Sequence, residues 1–457
     1  MNLILGAGLA GISVSYHLGH DHCLVLEKKA RIFGHIHSEY RDGFTWDEGP
    51  HVSFTKHDYV KNLFAESVEG RFDEYPVRTR NFFQGHWIDH PAQSNLYQVP
   101  QPLRSECLKS FLKSRGTVEL PSVTNYQEWL NQAFGPVFSK TFPTAYTRKY
   151  WTTDPHQLTT DWVGKRVFHP KVEEVLAGAE GALPIQTHYI SSVRYPRNGG
   201  YQSFAKKMAE GMNVLCNEDV VAIDLSSCKV STRSGKVFQF TRLINTMPLP
   251  EFVSKCLQST PEMKDAAEAL SCTQLLLVNV TAAHPTQIEG NWFYIYDEDK
   301  YSTRINCTEK LTPGNAPQGH TGVQVEVYFS KYRTQAVSDA DVAQCVITEL
   351  VEMGFIRPDL LPNGIDDIKV STHSLRWANV VFDFARRDAL EIIWDGLAGF
   401  GLKREVQDLE ASPDWSQSIQ EELGSLIMAG RFAQWQYFWT DDCVLRGRQI
   451  YLQNESI

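Results

Sequence analysis

Residues 2 to 34 read NLILGAGLAGISVSYHLGHDHCLVLEKKARIFG, and the order of apolar and glycine positions in them decides the fold. NLIL at 2–5 is a short apolar run of the kind a buried parallel strand needs. It leads directly into Gly6-Ala7-Gly8-Leu9-Ala10-Gly11, a G-x-G-x-x-G turn. Gly6 permits the tight turn, Gly8 lets a pyrophosphate approach the backbone, and Gly11 lets helix and strand pack closely, while free N–H groups at the helix start face the anion. The helix LAGISVSYHLG ends near Gly19. A second strand, CLVLE, then delivers Glu27, the acid that accepts hydrogen bonds from a ribose 2′-hydroxyl. Strand, helix, strand and acid in this order predict an α/β, Rossmann-like dinucleotide site. A 2′-phosphate would be repelled by Glu27, so FAD and NAD fit the turn and NADP does not.

The bulk of the chain sets limits on the rest. With 457 residues, 42% hydrophobic and 21% charged, it reads as a soluble globular protein of two or three domains. The longest apolar runs, such as LLLVNV at 275–280, fall far short of the roughly 20 residues that span a bilayer. A glycine turn stands where the apolar core of a secretory signal belongs, so the cytoplasm is the expected location. The nine cysteines are scattered with no C-x-x-C, which signals neither a zinc site nor a disulfide framework. The pairs His35/His37 and His51/His57 have no acid or cysteine at ligand spacing, so no metal is assigned. A formal net charge of −10 argues against a nucleic-acid surface, and an anionic small substrate then needs locally placed arginines.

The residues after Glu27-Lys28 separate the cofactors. The stretch ARIFGHIHSEYRDGFTWDEGPHVSFT carries Arg31, Gly34, a hairpin-like YRDGFTWD and Gly49. Here the chain resembles the FAD-dependent family of the amine oxidases, protoporphyrinogen oxidase and UDP-galactopyranose mutase, in which a basic residue and a glycine pair come after the acid. Arg31 and Gly34 fit that pattern, with His35 standing for the second glycine. EGPHVSFT at 48–55 is similar to the mutase segment against the flavin ring, which makes His51 a flavin contact; its other reading is a hydrogen-bonded buried histidine. AYTRKYWTTDPHQLTTDWVGKR at 145–166 is similar to a mutase substrate segment. Tyr146, Tyr150 and Trp151 supply planar surfaces there, and Arg166 a fork-shaped cation suited to phosphate. The further arginine that the mutases carry next is absent, and VFHPKV offers only Lys171. YDEDKYSTRINCTEK at 296–310 resembles the strand whose Thr-Arg pair aims at the substrate diphosphate, which would be Arg304. A strand arginine paired with Asp297 or Glu298 is the alternative. Near the C-terminus GRFAQWQYFW at 430–439 matches a Gly-Arg pair at the flavin and a tyrosine that bonds the substrate phosphates, implying Gly430, Arg431 and Tyr437. The next helix, TDDCVLRGR, would aim its N–H groups at the flavin pyrimidine carbonyls.

The resemblance implies a GR2-type FAD-binding domain in three pieces, 1–80, 190–250 and 415–457, with Val221 near the adenine and Met247 at the chain's exit. A mostly helical insertion at 81–189 and an α+β substrate segment at 251–414 lie between them. It implies two activities. The first is a pyranose–furanose isomerase of the UDP-galactopyranose mutase type, acting on a nucleotide-diphosphate sugar for surface glycans. Its chemistry is done mainly by flavin N5, with His51, Arg304 and Tyr437 assisting. The second is an FAD-dependent oxidoreductase of the amine oxidase or protoporphyrinogen oxidase type, which VRYPRNGGYQSFAKKM, LINTMPLPE and Trp439 fit at least as well.

Overall fold

The structure is a computed structural model that describes residues 1–115, 122–164, 167, 169–183, 192–404 and 423–455. Its first sheet has five parallel strands in the order Leu426–Met428, Arg242–Asn245, Asn2–Leu5, Cys23–Leu26 and Val214–Leu215. The NLIL strand is therefore central, which is why Leu3, Ile4 and Leu5 are no more than 1% exposed. The helix Leu9–Leu18 covers one face and packs on the C-terminal helix Thr440–Glu455 at backbone distance. A Cβ added to Gly447 would lie 2.2 Å from Ser13 Oγ, and that hydroxyl instead donates to the Val444 carbonyl at 2.8 Å.

The second sheet has seven strands: Lys369–Val380, Cys272–Ala282, Thr321–Phe329, Arg304–Cys307, Trp292–Ile295, Thr79–Phe83 and His86–Asp89. Only the pair Trp292–Ile295 and Thr79–Phe83 is parallel. A division at residue 80 thus falls inside a strand, and the stretch read as a helical insertion opens with two strands of this sheet. The helices Leu103–Arg115, Tyr126–Phe134, Ala145–Tyr150 and Val172–Glu180 come after them. GVQVEVYFSK forms the buried middle of the sheet, with every residue from Thr321 to Phe329 buried. On one side the helix Asp339–Glu352 closes an aliphatic core around Val323, Val325 and Val327. On the other, strand register sets Tyr294 opposite Arg304 and Arg304 opposite Glu326. No described helix is long and apolar enough to cross a membrane.

Candidate active site

A cavity of about 820 Å³ is lined by residues of both sheets. At the end nearest the first sheet it is bounded by Gly6, Gly8, Leu9 and Ala10, with Glu27 and Lys28 beyond. The three glycines of the turn have different surroundings. Gly6 takes φ +106°, and a Cβ on Gly11 would lie 2.0 Å from the Gly6 carbonyl oxygen. On Gly8 an added Cβ meets only Gly34 Cα, at 3.9 Å, so its missing side chain leaves a cradle open to the cavity. Glu27 accepts hydrogen bonds from Ala7 N and Lys29 N, both at 2.8 Å, and so fixes the turn's shape. Lys28 reaches Glu251 at 3.5 Å. Met247 lines the wall, and so does Val220, whereas Val221 is 41% exposed and does not. The ladder slips between Val220 and Ala222, which turns Val221 outward.

The glycine pair falls one residue earlier than the sequence suggests. Phe33 (φ 82°) and Gly34 (φ 50°) are the two left-handed residues, so the departure from the glycine pattern is Phe33 and not His35. Gly34 must be glycine, since its Cβ would meet Gly8 Cα at 2.9 Å. His35 instead faces the cavity and contacts Glu48 Oε1 at 3.1 Å, while Arg31 donates to Glu48 Oε2 at 2.8 Å. Burial alone would raise the Glu48 pKa; His35, Arg31 and Lys29 outweigh it and hold the carboxyl down at about 2.

Further along, Gly49, Pro50, His51, Gly430, Arg431 and Thr440 line the cavity. The His51 ring contacts the Gly49 carbonyl through Nδ1 at 2.7 Å. Burial lowers its pKa to about 4, so the ring is neutral at pH 7, Nδ1–H is the donor and Nε2 keeps its lone pair. What surface His51 exposes belongs to the cavity wall. Arg431 is anchored: Nε donates to the Phe438 carbonyl at 2.7 Å and Nη1 to the Ala378 carbonyl at 3.2 Å. The C-terminal helix starts at this wall, but two buried carboxylates, Asp441 and Asp442, occupy its first turn. Asp442 accepts from Trp439 N at 2.7 Å, and burial, then the neighbouring Asp442, raises the Asp441 pKa. The helix's positive end is therefore partly answered from within the chain.

The opposite end is aromatic. Tyr150, Trp162, Trp292, Tyr294, Tyr328 and Tyr437 line it around Arg304. The Arg304 guanidinium lies 5.2 Å from the Tyr150 ring centre and 5.7 Å from that of Trp292. Its Nε and Nη2 both bond Glu326, and Nη2 also bonds the Tyr328 hydroxyl at 2.9 Å. The carboxylate beside Arg304 is thus its cross-strand neighbour, not Asp297 or Glu298. Asp297 accepts from Gln84 N at 2.9 Å, and Glu298 pairs with Arg148 at 3.7 Å. Burial opposes the charge on Arg304 and Glu326 outweighs it, raising the pKa well above the ordinary arginine value. Nη1 makes no hydrogen bond among the described residues.

Of the other expected substrate residues, Tyr146 stands behind the wall, stacked on Tyr150 at 5.7 Å. Trp151, 4% exposed, packs between Trp162 and Tyr437 at 5.1 and 5.4 Å. Both support lining rings without lining the cavity themselves, and Arg166 lies outside the described residues. Glu326, Trp292 and Tyr294 were not singled out from the sequence. A lone acid at a buried position of GVQVEVYFSK was a readable sign for Glu326; the two rings reach the site through a parallel pairing that no local pattern announces. Among the described residues no group of three or more His, Cys, Asp or Glu is placed to hold a metal.

A cavity of about 820 Å³ with an open glycine cradle at a helix start, and with Gly34, Gly49 and Gly430 in its lining, fits FAD. Residues 9–448 match the family described as flavin containing amine oxidoreductase. Among solved structures, the chain is similar to a reduced UDP-galactopyranose mutase, with TM-score 0.85, 19% identity, and coverage of 99% of this chain and 95% of that one. It is also similar to a candidate protoporphyrinogen oxidase from Exiguobacterium sp. 255-15, with TM-score 0.71, 15% identity and coverage of 100% and 98%. A putrescine oxidase double mutant redesigned in its cofactor binding gives TM-score 0.60, 12% identity and coverage of 98% and 97%. Over nearly its whole length, then, the chain belongs to the flavin-containing amine oxidoreductase family, and FAD is its cofactor.

Proposed function

We propose that this flavoenzyme isomerises a nucleotide-diphosphate sugar in the manner of a pyranose–furanose mutase. The observation that carries the reading is the Nη1 edge of Arg304, which bonds no partner among the described residues, set among planar rings in the same cavity as the glycine turn. The full-length likeness to a UDP-galactopyranose mutase supports it. Reduced FAD, when bound, supplies the nucleophile for such an exchange.

The chain's own residues hold and orient. With Nε and Nη2 tied to Glu326, Arg304 has Nη1 free to donate to a phosphate oxygen, and the pinned fork gives that donor one direction. Tyr150, Trp292 and Tyr328 present flat faces to a base or sugar and exclude water from the departing diphosphate, which must stay close enough to return. Tyr437 stands beside Tyr150 and Trp151, its ring centre 5.9 Å from the Arg431 guanidinium, and its hydroxyl group would face the same phosphates. His51, neutral at pH 7, offers an acceptor at Nε2 and no proton to a leaving group.

One observation favours the second reading, an oxidoreductase acting on an amine or alicyclic substrate. Glu326 cancels the charge of Arg304, and Trp439 stands edge-on to Phe54 at 4.8 Å to make an apolar wall. Incubating the purified yellow protein with nucleotide sugars, with and without dithionite, separates the two. Isomerisation only in the reduced protein supports the mutase. Oxygen consumption or flavin bleaching with an amine, and no turnover of any nucleotide sugar, overturns it.

A further inference from the structure

Arg386 is the second residue of the helix Ala385–Ala398 and 3% exposed. Among the described residues no carboxylate lies within ion-pair distance of it. Both Nε and Nη2 donate to a single acceptor, the carbonyl of Trp435, at 3.0 and 2.6 Å. Its guanidinium lies 4.3 Å from the centre of the Phe382 ring. Burial pulls its pKa down to about 10, which leaves it charged at pH 7. Asp161 and Asp383 are near enough to favour the charge without pairing with it, yet a buried cation whose side chain hydrogen-bonds one carbonyl among the described residues is a costly way to fill space, since an apolar side chain of the same length fills it without desolvating a charge.

The acceptor stands at a particular place. Trp435 is fully buried and left-handed, with φ 54°, an uncommon conformation for a bulky residue. It is the reversal point of a loop that closes on itself. Gln434 N donates to the Gly430 carbonyl at 3.0 Å, Gly430 N to Gln434 Oε1 at 3.0 Å, and Gln436 N to the Arg431 carbonyl at 2.9 Å. Arg431 Nε then ties the far side to the Phe438 carbonyl at 2.7 Å. Gly430 and Arg431 leave one side of the reversal and Tyr437 and Phe438 the other, and all four line the cavity.

We propose that Arg386 is a positioning residue: by holding the Trp435 carbonyl it fixes the reversal that delivers Arg431 to the FAD site and Tyr437 to the aromatic end. The Tyr437 half rests on the function proposed above; the Arg431 half does not, because it concerns FAD alone. A strained turn needs an over-determining contact from outside itself, and Arg386 comes from a helix that contributes no residue to the cavity.

The test reads FAD rather than turnover, so its failure is distinct from a failure of the mutase reading. Arg386→Met keeps the length and removes both donors; Arg386→Lys keeps the charge with one donor point. Ile393→Val, fully buried on the same helix, is the control for helix destabilisation. A lost charge-assisted pair is expected to weaken FAD binding about 10- to 100-fold in Arg386→Met, with a changed visible band shape. Arg386→Lys should fall between it and the wild type, and Ile393→Val should bind FAD within about twofold of wild type whatever its Tm. Wild-type FAD affinity and spectrum in Arg386→Met overturn the proposal. If that variant does not fold, the same result in Arg386→Lys overturns it, and so does equal FAD loss in Ile393→Val.

Discussion

At one end of the cavity Gly6, Gly8, Gly34 and Ala10 shape the wall with backbone, and the acids nearby, Glu27 and Glu48, are spent on main-chain N–H groups and on Arg31. At the other end Arg304, Glu326, Tyr328 and Trp292 shape it with side chains brought together by a sheet. The difference is one of tolerance. A backbone site fails when a single atom is added, because the clashing partner cannot swing away. A side-chain site fails when a partner is removed, because a buried charge is left behind. The two ends should therefore answer mutation in opposite ways.

The largest expected effect comes from adding atoms to the turn. Gly11→Val places its Cβ 2.0 Å from the Gly6 carbonyl oxygen, backbone against backbone. The cost should exceed the roughly 4–5 kcal/mol that marks exceptional substitutions and should leave no folded protein. Gly8→Val three residues earlier meets nothing nearer than 3.9 Å at Cβ. It should fold with near-normal circular dichroism and purify colourless, its branch filling the pyrophosphate's place. If Gly8→Val also fails to fold, or Gly11→Val purifies yellow, the turn does not divide into a packing glycine and a ligand glycine.

A smaller effect is expected at the aromatic end, and it should be reversible by a second change. Arg304→Met leaves Glu326, whose side chain is 2% exposed, without its cation, and should cost about 3–5 kcal/mol in denaturant unfolding. Glu326→Leu alone strands the guanidinium and should cost a similar amount. In the double variant both charges are gone, so most of the loss should return, with FAD still bound because neither residue lines the Gly6, Gly8 and Gly34 turn. Additive losses in the double-mutant cycle would mean that the pair is not coupled.

The same contrast explains what could be read from the chain alone. NLIL, the glycine turn and CLVLE are consecutive, and their chemistry is local, so strand, turn, helix and acid can be read from spacing; the parallel sheet is where that spacing puts it, and Gly6 and Gly8 line the cavity. The aromatic end is assembled from residues 150, 162, 292, 294, 304, 326, 328 and 437, which no periodicity joins. Thr-Arg was legible as a motif, but its partner was not, because Glu326 is its neighbour only through strand register. Two differences of a single residue between sequence and structure have the same origin. A bulge turned Val221 out and Val220 in, and a left-handed Phe33 shifted the glycine pair off His35. Backbone conformation at one residue is the kind of detail that composition does not carry.

The smallest effect belongs to His51, which stands between the two ends and joins their logics: a titratable side chain held by a main-chain carbonyl. Its pKa is lowered from 6.5 to about 4, chiefly by burial. Above pH 6.5 neither folded nor unfolded chain binds the proton, so His51 adds no slope to stability. Between 6.5 and 4 the unfolded chain takes up a proton that the folded one refuses, and stability falls as the pH falls. Below 4 both bind it and the slope ends. The whole interval is worth on the order of 3 kcal/mol. His17, also lowered to about 4 by burial, acts with the same sign. Asp47, pushed up to about 6 by burial, acts against them between 6 and 3.8, so the raw profile is a sum. The informative quantity is the difference between wild type and His51→Gln, measured as unfolding free energy at pH 7 and at pH 4.5. The variant is expected to lose less stability than wild type on acidification, by on the order of 2–3 kcal/mol, irrespective of how stable it is at pH 7. Parallel profiles would mean that His51 takes up its proton in the folded protein as readily as in water. That result would make it a solvated ring at the open mouth of the cavity, not a neutral group buried in its wall.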